Sequence, residues 1–269
     1  MSLPSDDRVI ARAARFVAPL VLGIAVLGGW EAIVRLNDIP PYILPAPSLV
    51  AVTLVGDRAL LFASLLITLK ITLMALAAAV AGGVFLAVLF AQSRWVERSL
   101  FPYAVILQVT PIIAIAPLIV IYVQNPTLSV LICAWIVAFF PILSNTMLGL
   151  NSADHNLVDL FRLYGATRWQ ALRFLRLPGA MPYFLGGLRI AGGLSLIGAI
   201  VAEFAVASGG TASGLAWRIV ESGYRLNIPR MFAALVLISL AGIAIYLALS
   251  LVQHLILRRW HESAIKREG

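Results

Sequence analysis

The chain has 269 residues, of which 61% are hydrophobic and 12% are charged, with a mean hydropathy of +0.98. Soluble domains carry about 25% charged residues, so this composition excludes an ordinary soluble fold and predicts a membrane protein. The net charge of +8 is not evidence for nucleic-acid binding, because the basic residues lie between apolar runs and not along one face. We therefore expect no nucleic-acid partner.

Six apolar runs are long enough to cross a bilayer, which requires about 20 apolar residues in a helix. The sequence thus predicts an all-α integral membrane protein with six transmembrane helices. Residues 1–15 are expected to form a cytoplasmic N-terminal segment, residues 16–257 the transmembrane domain and residues 258–269 a cytoplasmic tail. The predicted spans are Phe16–Ile33, Ile71–Ala91, Tyr103–Val123, Leu128–Leu148, Phe184–Ala207 and Met231–Leu255.

The distribution of basic residues predicts the orientation, because Lys and Arg accumulate in short cytoplasmic loops. One side of the predicted membrane carries thirteen of them and the other carries five, which places both termini in the cytoplasm. The thirteen are Arg8, Arg12, Arg15, Arg94, Arg98, Arg162, Arg168, Arg173, Arg176, Arg258, Arg259, Lys266 and Arg267. The five are Arg35, Arg58, Arg218, Arg225 and Arg230.

Residues suited to catalysis or metal binding are few. Cys133 is the only cysteine, and the three histidines lack the spacing of metal ligands. The sequence has no P-loop and no paired carboxylates at helical spacing. A membrane-embedded enzyme is therefore disfavoured, and we expect the chain to bind no metal or cofactor and not to hydrolyse ATP by itself.

The hydrophilic segment between the fourth and fifth spans, residues 151–182, predicts two short helices. Ser152 is expected to cap the first, and Gly165 to end it in a left-handed conformation that glycine adopts without a Cβ clash. The T-x-x-Q sequence at Thr167 predicts a capping box for the second helix, which Pro178 is expected to stop. Since this helix mixes tryptophan with arginine, it should lie at the membrane surface or in a groove of another protein.

This segment resembles the cytoplasmic loop of permeases from binding-protein-dependent ABC importers, whose pattern is E-A-A-x-x-x-G-x(9)-I-x-L-P. The spacing is intact, although leucine and phenylalanine replace the two alanines. The positions that carry the resemblance are Asp159 in place of the glutamate, Gly165, Leu175 in place of the isoleucine, Leu177 and Pro178.

The resemblance implies that this loop inserts into a cleft of a cytoplasmic ATPase, and that ATP binds to that partner. The residues expected to couple the chain to the ATPase are Asp159, Tyr164, Gly165, Ala166, Thr167, Arg168, Trp169, Leu175, Leu177 and Pro178. It also implies the type I importer permease fold, an inner-membrane location and ATP-driven alternating access. The implied partners are an ATPase dimer, a periplasmic or lipid-anchored solute-binding protein, a second copy of this chain and membrane lipid.

Four further runs are similar to the nitrate, sulfonate and taurine branch of these permeases. They are ILPAPS from Ile43, TPIIAIAPLIVIY from Thr110, LPGAMPYFLGGLRI from Leu177 and IVAEF ending at Phe204. The PIIAIAP and FFPILSN runs favour the pyrimidine permeases of this branch, and a sulfonate, taurine or nitrate-like solute stays open. A secondary transporter or channel would explain the helices but not the Gly165–Pro178 pattern.

Polar and aromatic groups within spans are candidates for the translocation pathway. Interhelical hydrogen bonding or packing is the alternative for most of them, and an arginine partner is the alternative for the glutamate. Prolines at 111, 117 and 141 interrupt backbone ladders, and the glycine pairs at 82–83, 186–187 and 192–193 permit close helix approach. The pathway candidates are Gln108, Thr110, Tyr122, Trp135, Asn145 and Glu203.

Overall fold

A computed structural model describes residues 5–206 and 213–258, and the side chains from residue 17 onward. Every regular element in this part of the chain is helical. The elements are α1 (Ser5–Leu36), α2 (Pro47–Gly56), α3 (Arg58–Gln92), α4 (Arg94–Val109), α5 (Ile112–Val123), α6 (Pro126–Asn151), α7 (His155–Leu163), α8 (Arg168–Ala171), a π turn (Leu172–Arg176), α9 (Leu177–Val206), α10 (Leu215–Tyr224) and α11 (Ile228–Leu257).

Five helices of the described chain, α1, α3, α6, α9 and α11, are long and apolar enough to cross a bilayer. The pair α4 and α5 makes a sixth when it is taken as one broken span. Each predicted span lies within one of these elements, so the predicted all-α membrane fold is confirmed. Ala207, the predicted end of the fifth span, lies outside the described residues.

The third predicted span is broken in two, because α4 and α5 meet at an angle of 101°. Pro111 has no N–H to continue the helical ladder, and a residue that precedes proline avoids helical backbone angles. Thr110 accordingly has φ −70° and ψ 122°. Pro117 and Pro141 lie inside α5 and α6 without ending them, so only one of the three predicted interruptions divides a span.

The helices form two compact units, and the first comprises residues up to 61 together with residues 218–236. One ion pair links its two segments: Arg230 Nε lies 2.6 Å from Asp57 Oδ2. Within the second segment, Glu221 pairs with both Arg218 (2.7 Å) and Arg225 (3.0 Å). The hydrogen bond from Arg218 holds the pKa of Glu221 below its usual range. With the pair of Arg35 and Glu31, four of the five arginines of the predicted outer loops have carboxylate partners.

The second unit comprises residues 62–217 and 237 onward, and the antiparallel helices α6 and α9 form its centre. Their backbones approach closely at glycines. A Cβ on Gly198 would lie 2.9 Å from Ala134 Cα, and one on Gly149 would lie 2.8 Å from Ala180 Cα, distances that real Cβ atoms essentially never show. Lipid-embedded helices associate through such close packing because lipid supplies no hydrophobic driving force between them.

The predicted role of the glycine pairs is confirmed for one member of each. A Cβ on Gly187 would lie 2.8 Å from the Pro141 carbonyl oxygen, whereas one on Gly186 meets no atom within 4 Å. Gly83 and Gly192 likewise lie against Ile142 and Leu249. Successive helical residues point about 100° apart, so one glycine of each pair makes the closest approach. Gly82 still lies within ordinary contact of Phe139, whereas Gly193 meets no atom within 4 Å.

Replacement of Gly187 by alanine should therefore destabilise the second unit, because the new methyl group meets backbone that cannot move aside. Overpacking of this kind costs about 1 to 3 kcal/mol. We expect Gly187→Ala to lower the thermal unfolding temperature of the detergent-solubilised protein and Gly186→Ala to leave it unchanged. Equal unfolding temperatures for the two variants would contradict the close approach of α6 and α9.

Candidate coupling and translocation sites

The helix α7 begins two residues later than the sequence suggests. Asp154, and not Ser152, is its N-cap: Asp154 Oδ1 accepts the N–H of Asn156 at 2.8 Å. The prediction for Ser152 was wrong because that residue ends α6, where its hydroxyl donates to the Gly149 carbonyl at 2.9 Å. A side chain that completes the preceding helix is not free to cap the next one.

The helix α7 ends as predicted, at a glycine in the left-handed region. Gly165 has φ +70°, and its N–H donates to the Arg162 carbonyl at 3.0 Å. The N–H of Ala166 donates to the Phe161 carbonyl at 2.9 Å. These two hydrogen bonds constitute a complete Schellman motif, which fixes the direction in which the chain leaves the helix.

The predicted capping box of the next helix is also confirmed. Thr167 Oγ1 accepts the N–H of Gln170 at 3.2 Å, while Gln170 Oε1 accepts the N–H of Thr167 at 2.7 Å. Thus both the end of α7 and the start of α8 are determined by local hydrogen bonds. We call residues 154–176 the coupling segment.

The prediction that Pro178 stops this second helix was wrong, because the chain continues through the π turn into α9. Leu177 N–H bonds to the Leu172 carbonyl, five residues back, and Pro178 then falls in the first turn of α9. Pro178 has no N–H to donate, so the ladder loses one hydrogen bond there while the backbone stays helical. Residues 168–206, which comprise α8, the π turn and α9, are consequently one continuous helical path.

The coupling segment has an exposed apolar side and a buried anchor. Tyr164 and Trp169 are 85% and 63% exposed, whereas Leu172 is 1% exposed and packs in the core with Leu150 and Ala180. The other coupling candidates divide in the same way. Asp159, Gly165, Thr167 and Arg168 are exposed, and Ala166, Leu175, Leu177 and Pro178 are half-buried.

Asp159, which stands where the family pattern has glutamate, forms an ion pair within α7. Its Oδ1 lies 3.0 Å from Arg162 Nη1, and both side chains remain mostly exposed. An exposed ion pair of this kind contributes little to stability.

Two of the six pathway candidates lie at the break between α4 and α5. Gln108 and Thr110 line a cavity of about 340 Å³ there, together with Pro141 of α6. The hydroxyl of Thr110 donates to the Ile106 carbonyl at 2.6 Å. A third candidate, Asn145, lies one turn along α6 and is not among the lining residues; its Nδ2 donates to the Pro141 carbonyl at 2.8 Å. Pro141 has no N–H to bond the Val137 carbonyl as a regular helix would.

Two aromatic candidates lie elsewhere. Tyr122 is 83% exposed near the end of α5, and Trp135 packs its ring 5.2 Å from that of Phe139. These contacts favour the packing interpretation for Trp135. Neither residue lines the cavity at the helix break.

Glu203, the sixth candidate, holds the start of a short helix. Its Oε2 accepts the N–H of Ala216 at 3.0 Å, and its Oε1 accepts the hydroxyl of Thr68 at 2.9 Å. Thr68 Oγ1 in turn accepts the N–H of Leu215 at 2.9 Å. The carboxylate and the hydroxyl therefore satisfy amides at the N-terminus of α10, where negative charge is stabilised by the helix dipole.

The alternative of an arginine partner for Glu203 gains no support from these contacts. Sequence reasoning missed Thr68, which lies 135 residues away along the chain, and Gly214, where a Cβ would overlap the Glu203 carboxylate. The signal for this arrangement was weak, because neither residue is unusual in its local sequence.

The helical core, the broken third span and the coupling segment define a membrane permease, and comparison with known proteins gives the family. Residues 79–262 match the family described as binding-protein-dependent transport system inner membrane component. The chain belongs to this family and is a permease subunit of an ABC importer, a multi-pass protein of the inner membrane. The predicted family resemblance is confirmed.

Individual relatives agree with this assignment. The chain is 32% identical to the formylaminopyrimidine transport permease protein ThiX of Halalkalibacterium halodurans, over 91% of this chain and 97% of the relative. It is also 32% identical to the riboflavin transport system permease protein RibX of Chloroflexus aurantiacus, over 87% of this chain and 86% of the relative. An inward-facing structure of the MetNI methionine ABC transporter shares the fold, with a TM-score of 0.65 at 19% identity over 75% of this chain and 98% of that chain.

Gly165 provides a test of the coupling segment, since a β-branched residue is strongly disfavoured at positive φ. We expect Gly165→Val to impose about 1 to 3 kcal/mol of local strain and to misdirect α8, whereas Gly165→Asn should be tolerated. In liposomes containing the assembled importer, solute-stimulated ATP hydrolysis and uptake should fall together for Gly165→Val and persist for Gly165→Asn. Normal uptake by Gly165→Val in an assembled complex would show that this glycine does not direct coupling.

The Glu203 network predicts the behaviour of the α10 amides. Glu203→Ala should leave buried N–H donors without acceptors, at a cost of about 1 to 3 kcal/mol, and Thr68→Val should do so for Leu215. Hydrogen exchange at residues 215–217 should accelerate in both variants. The control is Glu97→Gln on α4. In this variant, exchange at the α10 amides should match that of the unmodified protein. Unchanged protection in Glu203→Ala would mean that the carboxylate does not hold the helix.

Proposed function

We propose that this permease moves a small solute from an external binding protein into the cytoplasm by ATP-driven alternating access. The observation that carries the proposal is the coupling segment, an exposed apolar surface whose two helices are fixed by a Schellman motif and a capping box. An exposed apolar patch on a fixed scaffold is suited to binding another protein. Its partner in this proposal is a cytoplasmic ATPase.

Movement of the ATPase would reach the membrane through α9. Leu172 anchors the coupling segment in the core, and the π turn joins it to α9 without an intervening loop. Since α9 is locked to α6 at glycine contacts, the two helices would move as one body. The cavity at the break in the third span lies against α6 at Pro141, so displacement of this pair would change the cavity's shape.

For the solute we propose a neutral heteroaromatic compound of the pyrimidine type. The Gln108 amide offers a neutral donor and acceptor at the cavity, and the Thr110 hydroxyl, which donates to the Ile106 carbonyl, offers an acceptor. Such groups match the ring nitrogens and amino groups of a pyrimidine, whereas a sulfonate or nitrate would favour a cationic side chain. The functions named for the two relatives, formylaminopyrimidine and riboflavin transport, favour the same choice. A sulfonate, taurine or nitrate-like solute is the alternative.

The proposed assembly contains two copies of this chain, two ATPase subunits and one solute-binding protein. A single permease offers one coupling segment, and an ATPase dimer has two sites to fill. Hydrolysis of ATP would take place on the ATPase, so the chain itself is proposed to be non-catalytic. Both termini and the coupling segment would face the cytoplasm, as the thirteen-to-five distribution of basic residues predicts.

The decisive experiment is uptake into liposomes by the permease, with and without its ATPase and binding protein. Radiolabelled formylaminopyrimidine, riboflavin and taurine are the three probes. We expect ATP-dependent uptake of the pyrimidine only when all components are present. Uptake driven by an ion gradient without the ATPase would establish the rival secondary transporter, and ATP-dependent uptake of taurine alone would overturn the proposed solute but not the importer.

A matched pair of variants assigns the pathway. Gln108→Leu removes an amide that lines the cavity, whereas Gln124→Leu removes one from the turn that follows α5. If the Gln108 amide makes one hydrogen bond to the solute in transit, Gln108→Leu should reduce uptake at least tenfold with little change in assembly. Gln124→Leu should leave uptake unchanged. Equal uptake by both variants would place the pathway elsewhere.

A further inference from the structure

A groove of about 670 Å³ separates the α3–α4 turn from the coupling segment. Four arginine side chains line it, and its lining includes no acidic residue. The residues that the argument uses are Arg94 at the start of α4, Arg162 on α7, Arg168 on α8 and Arg176 in the π turn.

The charge of this groove is largely uncompensated within the described part of the chain. Arg162 pairs with Asp159, and Arg176 Nη1 donates to the Ala91 carbonyl at 3.4 Å. Ion pairs among the described residues give no carboxylate partner to Arg94, Arg168 or Arg176. In the predicted outer loops, by contrast, Arg35, Arg218, Arg225 and Arg230 all have carboxylate partners.

The surroundings of the groove are those of a membrane interface. One wall is formed by the end of the apolar helix α3 and the first residue of α4, so the guanidinium of Arg94 lies where two spans emerge. Trp95, the next residue, is 78% exposed. Tryptophan beside arginine at the end of a span is typical of the lipid headgroup level, where the ring remains partly in hydrocarbon.

We propose that this groove binds the phosphate-bearing headgroup of an anionic phospholipid of the inner leaflet. Basic pockets between helices on the cytoplasmic side suit such headgroups, and bidentate contacts from arginine to phosphate give them specificity. The inference rests on the cytoplasmic orientation in the proposed function. It adds a ligand in the groove beside the coupling segment, whose lining includes Ala166 and Arg168 but neither Tyr164 nor Trp169 of the exposed apolar surface assigned to the ATPase.

A bound headgroup would connect two parts of the protein that move with different partners. Arg94 belongs to the membrane-spanning α4, and Arg176 belongs to the π turn at the end of the coupling segment. One phosphate that contacts both guanidinium groups holds the coupling segment against the α3–α4 turn. Anionic lipid would therefore strengthen the coupling between ATP hydrolysis and uptake without contacting solute.

The test uses the assembled permease–ATPase complex in nanodiscs of phosphatidylcholine with and without phosphatidylglycerol. Retained lipid is counted by native mass spectrometry, and uptake per ATP hydrolysed is measured in liposomes of the same compositions. The variant is the double substitution Arg94→Gln with Arg176→Gln, two groove arginines outside the set of residues expected to couple the chain to the ATPase. The control is Arg98→Gln, which removes an arginine one turn along α4 that does not line the groove.

We expect the unmodified complex and the control to retain phosphatidylglycerol in preference to phosphatidylcholine. The double variant should bind phosphatidylglycerol at least tenfold more weakly, since each basic residue near the surface contributes about a fivefold preference for anionic lipid. Its uptake per ATP should no longer depend on phosphatidylglycerol, while ATPase assembly persists.

Three results would overturn the proposal. The double variant could retain phosphatidylglycerol normally, or it could lose the ATPase and keep the lipid, which would assign these arginines to ATPase docking. Inorganic phosphate in phosphatidylcholine nanodiscs could also reproduce the effect of phosphatidylglycerol, which would assign the groove to a free anion. Labelling of Asp154→Cys by an impermeant thiol reagent in intact cells would instead refute the orientation, and with it the proposed function.

Discussion

Backbone atoms of α6 and α9 occupy the space that side chains would need at Gly149, Gly187 and Gly198. This close contact determines how the second unit is built, because two helices without side chains between them have one register and little freedom to slide. It also places Pro141 beside the cavity at the break in the third span. The packing that stabilises the unit thus positions the candidate pathway as well.

The coupling segment depends on the same contact. The Cα of Ala180 occupies the space that a side chain at Gly149 would need. Ala180 lies one turn after the π turn, and Leu172 packs into the same cluster. Rotation of the segment would therefore disturb the packing of α9 on α6. The π turn is the one place where the helical ladder changes register between them, and such turns occur often at functional positions. Local rigidity in α7 and α8 and tight packing in α9 together provide a mechanical connection.

Charge is distributed differently on the two sides of the predicted membrane. Four of the five predicted outer arginines pair with carboxylates of the chain, whereas Arg94, Arg168 and Arg176 line an open groove. Paired charges fix loops in place, and unpaired ones in a groove are available to a ligand. The basic residues that indicate orientation in the sequence therefore serve two physical roles, and the contacts that distinguish these roles are made only in the folded chain.

The sequence by itself determined the number and order of the spans, the left-handed Gly165 and the capping box at Thr167, since apolar length and short-range hydrogen bonding depend on neighbouring residues alone. It misplaced the cap of α7 and the end of α8, because Ser152 and Pro178 each belong to an adjacent long helix. Only the tertiary structure decided which glycine of each pair packs most closely and that Gln108 and Thr110 line a cavity beside Pro141. It also decided that Glu203 meets Thr68 across 135 residues, since such contacts depend on how helices cross, which no local pattern encodes.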